Sequence, residues 1–532
     1  AIHINAFNFP CWGMLEKLAP AFLAGVPVIT KPATATAYVA EAVVRLIVES
    51  GLLPAGALQL ICGSTGDLLD HLTGQDIVSF TGSIETSQTL RNHPSISRQA
   101  VRFIAERDSL NAAVLGPDAV AGTPEFDLFV KEVAREMTVK AGQKCTAIRR
   151  VFVPRALEPA VTAALSSRLA GATMGDPRVE GVRMGPLASR AQRTSVLEKL
   201  AEIAQEAEIV YGTAAVADDA LDTSLAGGAF FAPVLLRCAS PLTGRHVHTT
   251  EAFGPVATVM PYDSLDDAVA LVAKGEGSLV ASIFTYDDAV ADRLFFGLAP
   301  YHGRVLLVDR DCAKESTGHG SPLPMLVHGG PGRAGGGEEL GGLRGVFHYM
   351  QRTAIQGSPR RLTALTRRWT KGAPAPADGP HPFTRDFDTL VIGETVKTPA
   401  RVITLEDIEH FAHFTGDTFY AHMNEAAAAA NPFFPGRVAH GYLILSFAAG
   451  LFVQPDPGPV LANYGLDNLR FVKPVSPGDS IAVRLTVKQK QAARKPEYGE
   501  VRWDVEVTNQ LGEIVATYDL LTMNARPVAA VS

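Results

Sequence analysis

In the stretch Ala141-Gly142-Gln143-Lys144-Cys145-Thr146-Ala147-Ile148-Arg149, one cysteine stands among small and polar residues. A structural thiol usually sits among aliphatic side chains, whereas Gly142, Gln143 and Thr146 leave room for a substrate and for backbone amides near the sulfur. The chemistry that fits is nucleophilic attack by a thiolate. Most free thiols in a reducing compartment are inert, so this reading depends on partners. Glu106 follows the apolar run Phe103-Ile104-Ala105, where a carboxylate could act as a general base or sit in a strand-end salt bridge. A second set lies far along the chain. Asp417 and His422 flank one loop, and His440-Gly441 opens a long apolar helix whose first amides lack intrahelical partners. A carboxylate, an imidazole and an amide donor could converge there; a capping aspartate and a core histidine are the plainer alternative.

The elements around these residues alternate. A strand over residues 1–6, a helix over 14–24 and an apolar strand over 26–30 form a βαβ unit. A helix over 36–50 is stopped by Gly51, and 57–61 and 76–80 supply further strands. Such alternation predicts a parallel sheet covered on both faces. Lys31-Pro32-Ala33-Thr34 follows the second strand, where the lysine could reach a ribose or its phosphate, or simply be solvated. Phe80-Thr81-Gly82-Ser83 ends a strand and enters a helix over 84–91, whose free amides could face a pyrophosphate, although no GxGxxG is present. A helix over 127–141 leads into the Cys145 stretch, and Glu251 is the polar residue of Thr250-Glu251-Ala252-Phe253-Gly254-Pro255-Val256. The glycine-rich run 329–345 lacks a P-loop ending and reads as a mobile loop.

Residues 367–383 are rich in Pro, Ala and Gly and read as a linker. Beyond them come strands over 387–396 and 400–404, and a helix over 405–415 ending at Gly416. A helix over 438–453 follows, apolar nearly all round, then period-two strands over 481–488, 501–508 and 514–523. One buried helix inside an antiparallel sheet is expected.

The 532 residues suffice for several domains with full cores. A net charge of -7 excludes the basic excess suited to nucleic acid, while leaving local basic patches for an anionic cofactor. Cys11, Cys62, Cys145, Cys238 and Cys312 are scattered without CxxC spacing, which argues against a disulfide framework or a metal site and for the cytoplasm. No apolar run reaches membrane-spanning length, so no membrane partner is expected. The opening Ala-Ile-His-Ile-Asn reads as the interior of a strand, and a preceding portion is expected to be missing.

In their contexts and order, Phe7-Asn8-Phe9-Pro10, strand-end Glu106 and Gly142-Gln143-Lys144-Cys145 resemble the aldehyde dehydrogenase superfamily. Lys31-Pro32-Ala33, Phe80-Thr81-Gly82-Ser83, Met184-Gly185-Pro186-Leu187 and Glu251-Ala252-Phe253-Gly254-Pro255-Val256 extend the match. The resemblance implies an α/β fold with a Rossmann-like nucleotide domain (1–106, its N-terminal part missing) and an α/β catalytic domain with a C-terminal return (107–366). It implies Cys145 as nucleophile, Asn8 as oxyanion donor and Glu106 as the base that activates hydrolytic water. Lys31, Thr34, Gly82, Ser83, Glu251 and Phe253 become cofactor contacts. Many NAD-preferring relatives carry a glutamate where Thr34 stands, so Thr34 with Lys31 favours NADP over NAD. Two departures are the sequence Glu106-Arg107-Asp108-Ser109 around the base and Ser87 where a glycine is common.

Gly416-Asp417-Thr418-Phe419-Tyr420-Ala421-His422, Arg437-Val438-Ala439-His440-Gly441 and Phe471-Val472-Lys473-Pro474-Val475-Ser476-Pro477-Gly478-Asp479 resemble MaoC-like (R)-specific enoyl-CoA hydratases. The resemblance implies an α+β hot-dog domain over 384–532, with Asp417 and His422 handling water and the Gly441 amide polarising a thioester carbonyl. CoA thioesters are then the expected substrates, and pairing of hot-dog domains makes a homo-oligomer expected. One chain with both modules in this order resembles the bifunctional ring-opening family of bacterial phenylacetate degradation. Two other readings stand beside it: hydration of 2-enoyl-CoA alone, and a non-catalytic acyl-CoA-binding scaffold.

Overall fold

The computed structural model describes residues 1–213, 227–321, 323, 329–336, 342–376 and 379–526. They fall into two compact units, Ala1–Arg352 and Thr353–Ser532.

The first unit holds two sheets. Strands β1 (Ile2–Ile4), β2 (Val28–Lys31), β3 (Leu58–Leu60), β4 (Ile77–Thr81) and β5 (Arg102–Glu106) form a fully parallel sheet in the order β3-β2-β1-β4-β5. The alternation read from the sequence therefore holds. Successive residues of β4 feed opposite faces: Ile77 joins Met14, Leu18 and Val44, while Val78 and Phe80 join Ile96 and Leu69. A late segment returns to this sheet. The helix Gly342–Tyr349 brings the Tyr349 hydroxyl to 2.9 Å from His3 Nε2, and Arg102 donates to the carbonyls of His348 and Met350.

The second sheet contains β6 (Asn111–Leu115), β7 (Ile148–Pro154), β8 (Glu208–Tyr211), β9 (Val234–Arg237), β10 (Val256–Tyr262), β11 (Ser278–Phe284) and β12 (His302–Val308). Its order is β12-β11-β6-β7-β10-β9-β8, parallel except for β8. Every residue of β10 and β11 is buried, as expected for strands covered on both faces.

Two expectations change in this unit. The helix before the cysteine is Pro124–Thr138, capped by the Thr123 side chain, and gives way to a tight turn because Lys140 and Ala141 adopt φ of 55° and 51°. The described part of the glycine-rich run is a packed strap rather than a mobile loop. Arg107 N donates to Ala334 O at 3.0 Å, Arg107 Nη2 to Gly332 O at 2.7 Å, and Gly335 lies so close to Ala105 O that no side chain fits. Residues 337–341 of that run lie outside the described residues.

The second unit is an antiparallel sheet around one helix. Strands β13 (Thr395–Lys397), β14 (Arg401–Val402), β15 (Val460–Phe471), β16 (Ser480–Ala492), β17 (Tyr498–Asn509) and β18 (Ile514–Ala525) run in the order β13-β16-β17-β18-β15, with β14 beside β16. The helix Gly441–Phe452 turns Leu443, Ile444, Ala448 and Phe452 onto Val483, Leu485, Trp503 and Val505. It is shorter than expected and not wrapped all round, since Tyr442 is 68% exposed. Of the expected strand 387–396, only residues 395 and 396 are in the sheet, within β13. The segment read as a linker is packed: Trp369 N donates to Lys488 O at 2.7 Å, and the Phe383 ring meets Trp503 edge-on at 5.0 Å. Its Ala377 and Asp378 lie outside the described residues.

Candidate active sites

In the first unit, the approach to Cys145 is a run of three left-handed residues, Lys140, Ala141 and Gly142, with φ of 55°, 51° and 68°. For the two non-glycines this costs roughly 1–2 kcal/mol each, so surrounding contacts must hold it. Gly142 is required twice over, because a Cβ there would also collide with Gly254 O. Asn111 Nδ2 donates to Cys145 O at 2.7 Å and Ala147 O at 3.0 Å, and Gln143 Oε1 accepts from Ala188 N at 2.9 Å. Lys144 Nζ lies 2.6 and 2.7 Å from the two oxygens of buried Glu136. Burial pushes the Glu136 carboxyl above its ordinary value, against the pull of Lys144. The backbone around the sulfur is thus fixed on both sides.

Cys145 is partly accessible and opens onto a cavity of about 290 Å³ that also receives Asn8, Glu106, Lys17 and Lys140. The three residues read as a catalytic set therefore share one cavity. Lys140 Nζ donates to Asn8 O and stands 3.5 Å from the centre of the Phe9 ring. Burial lowers the Lys140 ammonium, while the neighbouring Cys145 opposes that shift. By contrast Cys238 is buried, and burial raises its thiol, as for a structural cysteine.

Glu106 ends β5 beside Thr81 of β4, and Lys31 ends β2 beside Ile4 of β1. Lys31, Gly82, Ser83 and Glu106 therefore lie along the carboxyl edge of the first sheet, where doubly wound sheets bind ligands. Gly82 leaves space that a Cβ could not share, since it would stand 2.6 Å from the Phe80 ring. Ser83 caps the helix Ile84–Arg91 through Thr86 N at 3.3 Å, and Ile84 N donates to Asp108 Oδ1 at 3.3 Å. Thr34 is exposed at the start of the turn Thr34–Thr36. This edge suits an extended nucleotide.

Glu251 is not free at this edge. Its Oε2 accepts from Ser109 N at 3.0 Å and its Oε1 from Arg149 Nε at 3.3 Å, and burial raises its carboxyl to about 7. Phe253 packs edge-on to Phe7 at 5.8 Å, with the Arg149 guanidinium 5.4 Å from its ring centre. Arg149 and Lys140 are site residues the sequence reading passed over. A pair of arginines, Arg149 and Arg150, inside the otherwise apolar strand Ile148–Pro154 was the available signal for the first.

In the second unit, Gly416 ends the helix Leu405–Thr415 in the left-handed region, and Asp417 follows with its Oδ1 3.4 Å from Phe419 N. His422 sits in the short helix Tyr420–Met423 with Nδ1 2.7 Å from Val438 O. A carbonyl only accepts, so Nδ1 carries the proton and Nε2 a lone pair. Arg437 Nε donates to His422 O at 2.5 Å. His440, which the sequence reading passed over as a site residue, is 1% exposed; its Nε2 donates to Asp417 O at 2.9 Å and its ring stacks on His422 at 3.7 Å. Asp417, His422 and His440 each place one ligand-type atom within 4.8 Å of the others. Two imidazoles at right angles on one ion hold their centroids about 4.5 Å apart, given bonds of about 2.1 Å, so the closer stack suits ring contact rather than shared ligation. Gly441 starts the central helix, and a Cβ on it would collide with the Phe471 ring.

Residues 1–351 match the model described as the aldehyde dehydrogenase family. The chain belongs to that family. In addition, residues 387–509 match the MaoC like domain. The chain is 52% identical over 331 residues to a 3,4-dehydroadipyl-CoA semialdehyde dehydrogenase of Aromatoleum evansii, covering 62% of this chain and 64% of that protein, so it spans less than two thirds of that relative's length. To Protein MaoC of Klebsiella aerogenes it is 47% identical over 333 residues, covering 61% of this chain and 97% of that protein. Betaine aldehyde dehydrogenase of Staphylococcus aureus, solved in complex with NAD+, superposes with a TM-score of 0.57 at 25% identity, covering 65% of each chain. The protein is thus an aldehyde dehydrogenase domain followed by a MaoC-like domain of hot-dog type, the first from a family that uses a nicotinamide nucleotide. No helix among the described residues is long and apolar enough to cross a membrane.

Proposed function

We propose that the chain opens the ring of oxepin-CoA in its MaoC-like unit and oxidises the resulting CoA-linked semialdehyde to the acid with NADP in its aldehyde dehydrogenase unit, as a step of aerobic phenylacetate catabolism. The observation that carries the dehydrogenase half is the single cavity receiving Asn8, Glu106 and Cys145. The name of the Aromatoleum relative supports a CoA-linked semialdehyde as substrate.

In the hydratase half, Asp417 and the Nε2 lone pair of His422 hold the water, one of them takes its proton as its oxygen adds to the enol ether carbon, and that proton is then delivered to the carbon next to the thioester. The Gly441 amide donates to the thioester carbonyl, where charge develops. The product hemiacetal opens to an aldehyde. In the dehydrogenase half, the Cys145 thiolate adds to that carbonyl, and its oxyanion accepts from the Asn8 side-chain amide and the Cys145 amide. A bound nicotinamide supplies the two-electron acceptor. Glu106 then takes a proton from the water that cleaves the thioester, releasing the acid and restoring Cys145. Lys31 with an uncharged Thr34 leaves room for a 2'-phosphate that a glutamate would repel, which favours NADP over NAD.

Self-association through the MaoC-like unit belongs to the same reading. Tyr442 on its helix and Leu461 and Tyr464 on edge strand β15 are exposed aromatic and aliphatic groups beside open backbone.

The test uses purified chain with oxepin-CoA, following thioester products and nicotinamide absorbance. Wild type is expected to yield acid and NADPH. Cys145→Ala should accumulate the semialdehyde, and Asp417→Asn should leave oxepin-CoA unchanged. Acid formation by the Cys145 variant, or ring opening by the Asp417 variant at the wild-type rate, overturns the corresponding half.

A further inference from the structure

Arg149 lies at the second position of β7, a strand that is buried nearly throughout, and its side chain is 4% exposed. An unpaired guanidinium there would be strongly destabilising, and each of its three nitrogens has an acceptor. Nη1 donates to Gly254 O at 2.7 Å, Nη2 to Gly142 O at 2.8 Å and Lys144 O at 3.4 Å, and Nε to Glu251 Oε1 at 3.3 Å. These acceptors belong to two segments far apart in sequence: the left-handed turn that delivers Cys145, and the loop that carries Glu251. The second oxygen of Glu251 takes Ser109 N, three residues beyond Glu106. One planar fork therefore joins the nucleophile turn, the loop read as a cofactor contact and the segment behind the base. A lysine, with a single nitrogen, cannot reproduce that span.

We propose that Arg149 is a positioning residue that holds the Glu251 carboxylate for the cofactor ribose and, through the carbonyls of Gly142 and Lys144, sets the turn that aims Cys145. This rests on the dehydrogenase reading above. Arg149 touches none of the reacting atoms; it acts through Glu251 and the backbone. The groups facing Glu251 are Arg149, the Ser109 amide, Asp108 and Arg333. Arg149 and Arg333 favour the ionised carboxylate, whereas burial and Asp108 oppose it. Weakening the Arg149 contact raises the pH at which Glu251 becomes an acceptor for ribose hydroxyls.

The experiment compares wild type, Arg149→Lys, Arg149→Met and Glu251→Gln in the full chain. NADP affinity is titrated across pH without aldehyde, and the iodoacetamide rate at Cys145 is followed with Cys145→Ala as background. Arg149→Lys is expected to bind NADP about tenfold more weakly at pH 7, with its half-binding pH moved up by about one unit. It should also alkylate Cys145 several-fold more slowly. In a Glu251→Gln background the pH dependence should vanish and Arg149→Lys should change affinity less than about twofold. Arg149→Met, which leaves Glu251 buried without a partner, is expected to do more or to fail to fold, and the lysine variant then carries the test. Unchanged affinity, pH profile and alkylation in Arg149→Lys overturn the inference. If wild type binds neither NADP nor NAD, the dehydrogenase reading falls instead, and the alkylation rate alone decides the role of Arg149 at the thiol.

Discussion

The imidazole of His440 lies stacked beneath that of His422, centroids 3.7 Å apart, while its Nε2 holds the carbonyl of Asp417. One buried ring thus supports both residues read as handling water. Burial and the neighbouring His422 lower the proton affinity of His440, so it stays neutral at pH 7 and places no charge against its partner. His440→Phe keeps a ring in the stack but loses the bond to Asp417, and His440→Ala loses both. We expect crotonyl-CoA hydration to fall about tenfold in the first and about a hundredfold in the second. Equal rates in all three proteins would remove His440 from the site.

Gly142 offers a sharper test of the cysteine turn. Gly142→Ala must adopt a φ of 68° and push its methyl into Gly254 O. Aldehyde oxidation should drop at least about a hundredfold, while hydration, housed in the other unit, should persist. Both activities are read on one preparation, so a general folding failure would show as loss of the two together.

Replacing the base should divide the oxidation into its halves. In Glu106→Gln, thioester formation proceeds and its hydrolysis does not, so NADPH should appear as a single stoichiometric burst with the acyl group retained on Cys145. Mass spectrometry of the intact chain checks this. Steady turnover at the wild-type rate would assign the base elsewhere.

Cofactor choice is testable at the exposed turn Thr34–Thr36. Thr34→Glu introduces a charge of the same sign as a 2'-phosphate and should weaken NADP by about tenfold or more, leaving NAD little changed. Parallel titrations with the two nucleotides measure it, and equal effects on both would show that the 2'-phosphate is bound elsewhere.

Acid should loosen the first unit. His248 donates through Nε2 to Pro241 O at 2.8 Å beside Arg150, and His302 donates through Nδ1 to Leu298 O at 2.9 Å. Burial lowers both to about 4, below the ordinary 6.5. The unfolded chain then binds more protons, so their stabilisation is complete above pH 6.5 and is lost as pH falls toward 4. The loss amounts to about 3 kcal/mol for each. A melting temperature that does not fall between pH 7 and 5 would contradict this.

Much of this architecture is written in local signals. The helix Leu405–Thr415 is readable to the residue, since Thr404 and Asp407 form a capping box and Gly416 closes it. β15 is not legible at all. Its pairing with β18 shifts register three times, Asn468 is left-handed, and most of its residues are exposed, so no period-two pattern survives. The turn at Lys140 and Ala141 is equally hidden, because neither residue advertises a left-handed backbone and only Arg149, Gly254 and their neighbours impose it. Asn8, Glu106 and Cys145 can be named from motif context, but what holds them is long-range: Arg149 to Gly254 spans 105 positions. His440 looks like a core histidine because, by burial, it is one; its stack on His422 exists only in three dimensions.

The bond between His3 and Tyr349 joins residues 346 positions apart, and Arg102 reaches Met350 across 248. The first sheet is therefore closed by a helix that leaves the ribosome hundreds of residues after its strands. During synthesis, Met14, Val28 and Ile77 wait for the Tyr349 side of their core while the second sheet can already assemble. The face of the first sheet that carries Met14, Val28 and Ile77 should accordingly be the last part of this unit to mature, and the part most in need of protection until it does.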